Sequence, residues 1–126
     1  MRTIIAGSRG LTDPDLVRLG VGLCGWEVTE VVSGGATGID MLGELWAHTN
    51  NIPVRKFPAD WSQGKGAGFA RNKEMADYAE ALIAIWDGKS RGTNHMVETA
   101  REKGLKVFVM VEEPGPEPLE SEWPPE

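Results

Sequence analysis

The chain has 126 residues, 40% hydrophobic and 25% charged, ordinary for one soluble globular domain with a real core. Its net charge of −6 is uneven: six of the 19 acidic residues lie in 112–126, which leaves a body of 13 acids against 13 bases. A neutral body with an acidic end argues against a broad nucleic-acid-binding face, though not against a local basic pocket. The single cysteine, Cys24, excludes an intramolecular disulfide and a thiolate metal cluster. No apolar run approaches the roughly 18 residues of a membrane span, and the N-terminus lacks a signal-peptide layout, so we expect a cytoplasmic protein.

In chain order, Thr3 to Ala6 reads as a short buried strand ending at Gly7-Ser8-Arg9. Thr12-Asp13-Pro14-Asp15 marks a helix start, with Thr12 as cap and Asp15 three residues on; Leu16, Leu19 and Leu23 then form its apolar stripe. Val28 to Val32 is a second strand. Ile39, Leu42, Leu45, Trp46 and Thr49 recur at helical spacing, and Val54 to Phe57 is a third strand. Pro58 to Gly68 is a loop with three glycines. Ala70 to Tyr78 is a helix with Met75 and Tyr78 turned to the core, and Ala81 to Trp86 is a continuously apolar strand. A helix from Gly92 to Lys103 is closed by Gly104, and Leu105 to Val111 is the last strand.

Strands alternating with helices, several of them apolar on consecutive residues, signal a parallel sheet covered on both faces. We therefore expect an α/β fold: a three-layer Rossmann-like domain with a mostly parallel five-stranded sheet over residues 1–111. Residues 112–126 form an acidic Pro/Glu-rich tail that carries five of the eight prolines and cannot continue a helix or a central strand. Its Leu119 and Trp123 could dock on the body or on a second subunit, and we expect a homo-oligomer, a dimer.

Ser33-Gly34-Gly35-Ala36-Thr37-Gly38-Ile39-Asp40 is the most informative stretch. A glycine-rich strand-to-helix turn presents backbone N–H groups where the helix dipole favours an anion, and so reads as a phosphate or nucleotide site. In a parallel sheet, ligands bind beyond the carboxyl ends of the strands. That rule gathers Gly7, Ser8 and Arg9 from the first strand and Ser33, Gly34, Gly35, Ala36, Thr37, Gly38 and Asp40 from the second. It adds Asp60, Trp61, Lys65, Gly68, Arg71 and Asn72 after the third, and Asp87, Lys89, Ser90, Arg91, Gly92 and Thr93 after the fourth. Five basic residues of a neutral body fall in these loops, and guanidinium forks with backbone amides suit phosphate.

Blander roles compete at single positions. Asp40 could simply complement its helix dipole, and Trp61 could stack on a base or cover the sheet end. Asp60 and Asp87 could contact ribose or a metal, or merely end their strands. Trp46 and Trp86 read as core, Cys24 as buried and inert, His48 as a dipole partner, and His95 as a surface histidine in the one position suited to acid–base work.

Gly7-Ser8-Arg9, Ser33 to Asp40, Ala59-Asp60-Trp61, Gly68 with Arg71-Asn72 and Met75, and Trp86 to Thr93 together resemble the SLOG superfamily. That group includes the DNA-processing protein DprA and the LOG-type nucleotide phosphoribohydrolases. The likeness runs over residues 2 to 111 and is strongest to a small bacterial and phage family within it. It implies a Rossmann-like domain that binds nucleotides or nucleotide-derived ligands at its glycine-rich turns. In LOG-type enzymes a glycine–threonine pair is followed three residues later by a catalytic glutamate. Here Met96 holds that position after Gly92-Thr93, and Glu98 comes two residues too late. The arginine matching Arg71 is kept. Relative to DprA, the chain lacks length and overall basic charge.

We thus expect a binder of a nucleotide or phosphorylated nucleotide derivative, acting as a sensor or a sequestering protein. Arg9, Arg71, Lys89 and Arg91 would neutralise phosphate, and Asp60 or Asp87 would hold ribose. The alternatives are a nucleoside monophosphate hydrolase using Asp60, Asp87 or Glu98, and a DprA-like single-stranded DNA binder. We expect no cofactor beyond a bound nucleotide and no metal site of the chain's own, with a divalent ion left open.

Overall fold

The computed structural model describes residues 1–64 and 66–113. Five strands and four α-helices alternate: β1 (Arg2–Gly7), α1 (Pro14–Leu23), β2 (Glu30–Ser33), α2 (Ile39–Thr49), β3 (Val54–Lys56), α3 (Ala67–Tyr78), β4 (Ala81–Trp86), α4 (Arg91–Glu102) and β5 (Lys106–Val111). A single 3₁₀ turn, Trp61–Gln63, precedes α3. The sheet order is β3-β2-β1-β4-β5, and every pairing is parallel. The fold is therefore the three-layer Rossmann-like α/β arrangement, with its topological switch point between β1 and β4.

Two apolar layers fill the space on either side of the sheet. Ile5, Val31, Ile83 and Ile85 face Val17, Ile39 and Ala47 of α1 and α2. Ile4, Val32, Leu82 and Ala84 face Met75, Ala76, Met96, Val97 and Ala100 of α3 and α4. β4 is buried along Ala81 to Ile85 because it lies inside the sheet with helices above and below, which explains its unbroken apolar run.

Several boundaries differ from the sequence reading. The cap of α1 is Asp13, whose carboxylate accepts the Asp15 N–H at 2.9 Å; Thr12 lies one residue too early, because Pro14 takes the first helical position. The buried face of α1 is Val17 and Gly20, while Leu19 and Leu23 are 48% and 59% exposed. Gly20 lets α1 lie directly on the sheet: a Cβ there would sit 3.0 Å from Ile83 and 3.5 Å from the Met110 sulfur. That contact turns the leucine stripe aside. Leu45 of α2 is likewise exposed, and Gly43, against Ile5, takes the inner face. α3 begins at Ala67 rather than Ala70, so its first turn absorbs the end of the loop. Trp46, Trp86, Tyr78 and Cys24 are half-buried rather than fully enclosed. Lys65, Leu119 and Trp123, with the rest of 114–126, lie outside the described residues.

Candidate functional site

The carboxyl ends of β1, β2 and β3 open into a cleft of about 370 Å³, lined by Arg9, the Gly34-to-Thr37 turn, Pro58, Ala59, Trp61 and Arg71. That volume is within the roughly 300–1,000 Å³ of small-ligand sites.

The floor is built by close approach. Arg71, on the second turn of α3, reaches across to donate from Nη1 to the Gly34 carbonyl at 2.6 Å. A Cβ on residue 34 would lie 2.4 Å from that nitrogen and 3.0 Å from an Asp40 carboxylate oxygen, so glycine is needed for the guanidinium to sit there. The Arg71 Nε is buried and has no hydrogen-bond partner among the described residues. The turn is then shaped by two acceptors. Ser33 Oγ accepts the Gly35 N–H at 3.1 Å while donating to Glu44 at 2.6 Å, and Glu44 pairs with Lys56 at 3.1 Å. Asp40 accepts the Ala36 N–H at 3.3 Å.

Asp40 is only 5% exposed, beside Arg71 under the turn. Burial pushes its carboxyl up to about 6, against the opposing pull of the Ala36 amide, the Arg71 guanidinium and the Gly7 amide. Gly38, at φ +77°, caps α2 without a side chain and lies against the Arg9 and Ser8 backbone, where a Cβ would meet atoms at 2.7 Å. The α2 N-terminus therefore has no side-chain cap and follows directly on the Gly34-to-Thr37 turn that lines the cleft.

The β1 and β4 loops are tied together beside this cleft. Ser8 is buried, and its Oγ accepts the Asp87 N–H at 2.9 Å. The Asp87 carboxylate accepts the Lys89 and Ser90 amides, both at 2.8 Å; these bonds outweigh the upward push of burial and hold it below the usual carboxylate range. Asp60 caps the 3₁₀ turn, and bonds from Ser62 and Gln63 hold its carboxyl low as well. Both aspartates are thus occupied by their own loops.

Seven residues of the sequence-derived set line the cleft: Arg9, Gly34, Gly35, Ala36, Thr37, Trp61 and Arg71. Gly7, Ser8, Ser33, Gly38 and Asp40 lie beneath or behind it as its support. Asp87, Lys89 and Ser90 form the neighbouring β4–α4 loop at the same end of the sheet, and Arg91, Gly92 and Thr93 make the first turn of α4; Lys89, Arg91 and Gly92 are exposed, and the Thr93 hydroxyl donates to Ser90 Oγ at 3.2 Å. Asn72 instead bridges α3 and α4. Its amide is 3.4 Å from the Gly92 carbonyl and 3.1 Å from His95 Nδ1. His95 is half-buried rather than on the surface, stacked on Phe69 at 4.1 Å, and burial lowers its pKa. Sequence reading did not single out Pro58, Glu44, Lys56 or Phe69; only Ala59 among the added lining residues belongs to a recognisable motif. Among the described residues no group of three or more His, Cys, Asp or Glu could hold a metal ion, and no helix is long and apolar enough to cross a membrane.

The model of the YspA, cpYpsA-related SLOG family (YAcAr) matches residues 1–64. The chain belongs to this SLOG family. No curated protein and no solved structure matches it. The SLOG match spans β1 to the 3₁₀ turn, and so includes Arg9, the glycine-rich turn and Trp61, while Arg71 lies beyond it. Membership points to a nucleotide-related role for the Rossmann-like domain.

Proposed function

We propose that this SLOG domain binds the phosphate of a nucleotide or nucleotide derivative in the cleft over the Gly34–Thr37 turn, as a sensor or sequestering protein. The observation that carries this reading is the Arg71 guanidinium anchored on the Gly34 carbonyl at the cleft floor, with Arg9 in the same lining and the α2 N-terminus, which has no side-chain cap, following the turn. Guanidinium and amide donors around one small volume suit a phosphoryl group. Trp61, 58% exposed on the rim, offers an aromatic face to a base. Lys89 in the next loop and Arg91 at the start of α4 extend the positive field.

α4 supports a reading of binding without hydrolysis. Met96, at the position of the LOG-type glutamate, is 1% exposed in the α3/α4 core, and Glu98 lies on the exposed side, accepting from Asn94 at 3.2 Å. A hydrolase reading keeps one specific support: Asp40, a carboxyl that titrates near 6 under the cleft. Mass spectrometry of small molecules released from the purified protein tests the proposal. A phosphorylated nucleoside is expected. Free base formed from an added nucleoside monophosphate, lost in Asp40→Asn, would favour the hydrolase instead.

A further inference from the structure

β5 is an edge strand of six residues, Lys-Val-Phe-Val-Met-Val, whose one strand neighbour among the described residues is β4. An apolar edge with open backbone groups is a template for pairing with another chain. The orientation of those groups is readable. Lys106 and Glu112 donate their N–H groups inward, to Glu80 at 3.2 Å and Trp86 at 2.8 Å. By the two-residue period of a strand, Val107, Val109 and Val111 therefore turn their N–H and C=O groups outward.

We propose that this edge is a homodimer interface in which β5 pairs antiparallel with β5 of a second copy, centred on Val109. Three independent features meet in that register. First, Val109 lies opposite its own copy and Val107 opposite the partner's Val111, so the three outward-facing residues fall at the hydrogen-bonded positions of an antiparallel ladder. Second, Lys106 lies opposite the partner's Glu112, and the two-fold repeats this pair at the other end. Glu112 also shares a pocket with Asp13 and Glu113, so the incoming lysine meets a local acidic field. Third, Leu16, Leu19 and Leu23 share one side of α1. Leu16 lines the pocket that contains Glu112 and Glu113, and Gly20 packs on Met110, so this stripe runs along the β5 flank. Leu19 and Leu23, exposed in one copy, become covered by the same stripe of the other. A surface that is complementary to itself under a two-fold closes as a dimer. Residues 114–126 of the same chain are the rival occupant, and a monomeric wild type would favour them. The clefts, at the β1–β3 end of each sheet, stay open at the far sides of the dimer.

Sedimentation equilibrium on the full chain tests this. The wild type is expected to dimerise. Val109→Pro is expected to be monomeric with unchanged far-ultraviolet dichroism, since that N–H faces away from β4. Lys106→Glu and Glu112→Lys should each raise the dimer dissociation constant about tenfold, because two attractive cross-strand pairs become repulsive, and the double reversal should return it to within about threefold of wild type. A monomeric wild type, a dimer indifferent to Val109→Pro, or a double reversal as weak as the singles combined would overturn the proposal.

Discussion

Asp40 is a carboxyl whose surroundings disfavour its charge. Its folded pKa of about 6 stands above the ordinary 3.8, so the folded state holds a proton that the unfolded chain releases. The stability this confers is full below about pH 4 and is lost as pH rises to about 6, a change of about 3 kcal/mol. Asp40→Asn removes that slope. We expect the variant to match wild type near pH 4 and to exceed it at pH 7.5, as measured by denaturant unfolding at both values; parallel wild-type and variant profiles would contradict the assignment. Asp60, Glu80 and Asp87 are shifted down and act below that window, while His95, lowered from its ordinary value, contributes alike in both proteins, so the difference between the two isolates Asp40. The sequence placed Asp40 at the start of α2, but its burial under Arg71 depends on a contact 31 residues away, which no local pattern reports.

At the scale of elements, two glycines of one turn serve different ends. Gly38→Ala forces a side chain onto φ +77° and into the Arg9 and Ser8 backbone, so it should cost about 3 kcal/mol of stability. Gly34→Ala instead meets chiefly the far end of a flexible arginine, which can swing away, and touches the Asp40 carboxylate at 3.0 Å, where a shift of a few tenths of an ångström suffices. It should lower stability by less than about 1 kcal/mol, yet weaken nucleotide binding, because Arg71 loses its seat on the Gly34 carbonyl. Thermal unfolding and titration calorimetry on the two variants separate the effects; equal loss of stability in both would refute the distinction. The elements themselves were largely legible, since the apolar run of β4 follows directly from burial on two faces and Gly104, at φ +77°, marks the end of α4. Leu19, Leu23 and Leu45 misled because helical spacing shows that leucines share a side, not which side meets the sheet. Gly20 and Gly43 decide that by allowing close contact with Ile83 and Ile5. The parallel sheet identified the strand ends as the site, but the division between cleft residues and the loop ties of Asp60 and Asp87 required hydrogen-bond geometry that types and spacing do not encode.

For the whole molecule, we propose that the SLOG domain binds phosphate in the cleft of Arg9, Arg71 and backbone amides without cleaving the nucleoside. With Met96 in the core, no acid stands where LOG-type chemistry needs one to stabilise the positive charge of the sugar. Long incubation of concentrated protein with adenosine, guanosine, cytidine or uridine monophosphate at neutral pH should release no free base by chromatography. Release that scales with protein and vanishes in Arg71→Ala would contradict the binding-only account. The most direct test of the cleft itself is titration calorimetry of a nucleotide panel against wild type and Arg71→Ala. At least one nucleotide is expected to bind the wild type, and the variant, still folded, to bind it about 1.5–3 kcal/mol more weakly, the range for hydrogen bonds to a charged group. Equal affinity in the two proteins, or no nucleotide bound by the wild type, would contradict it.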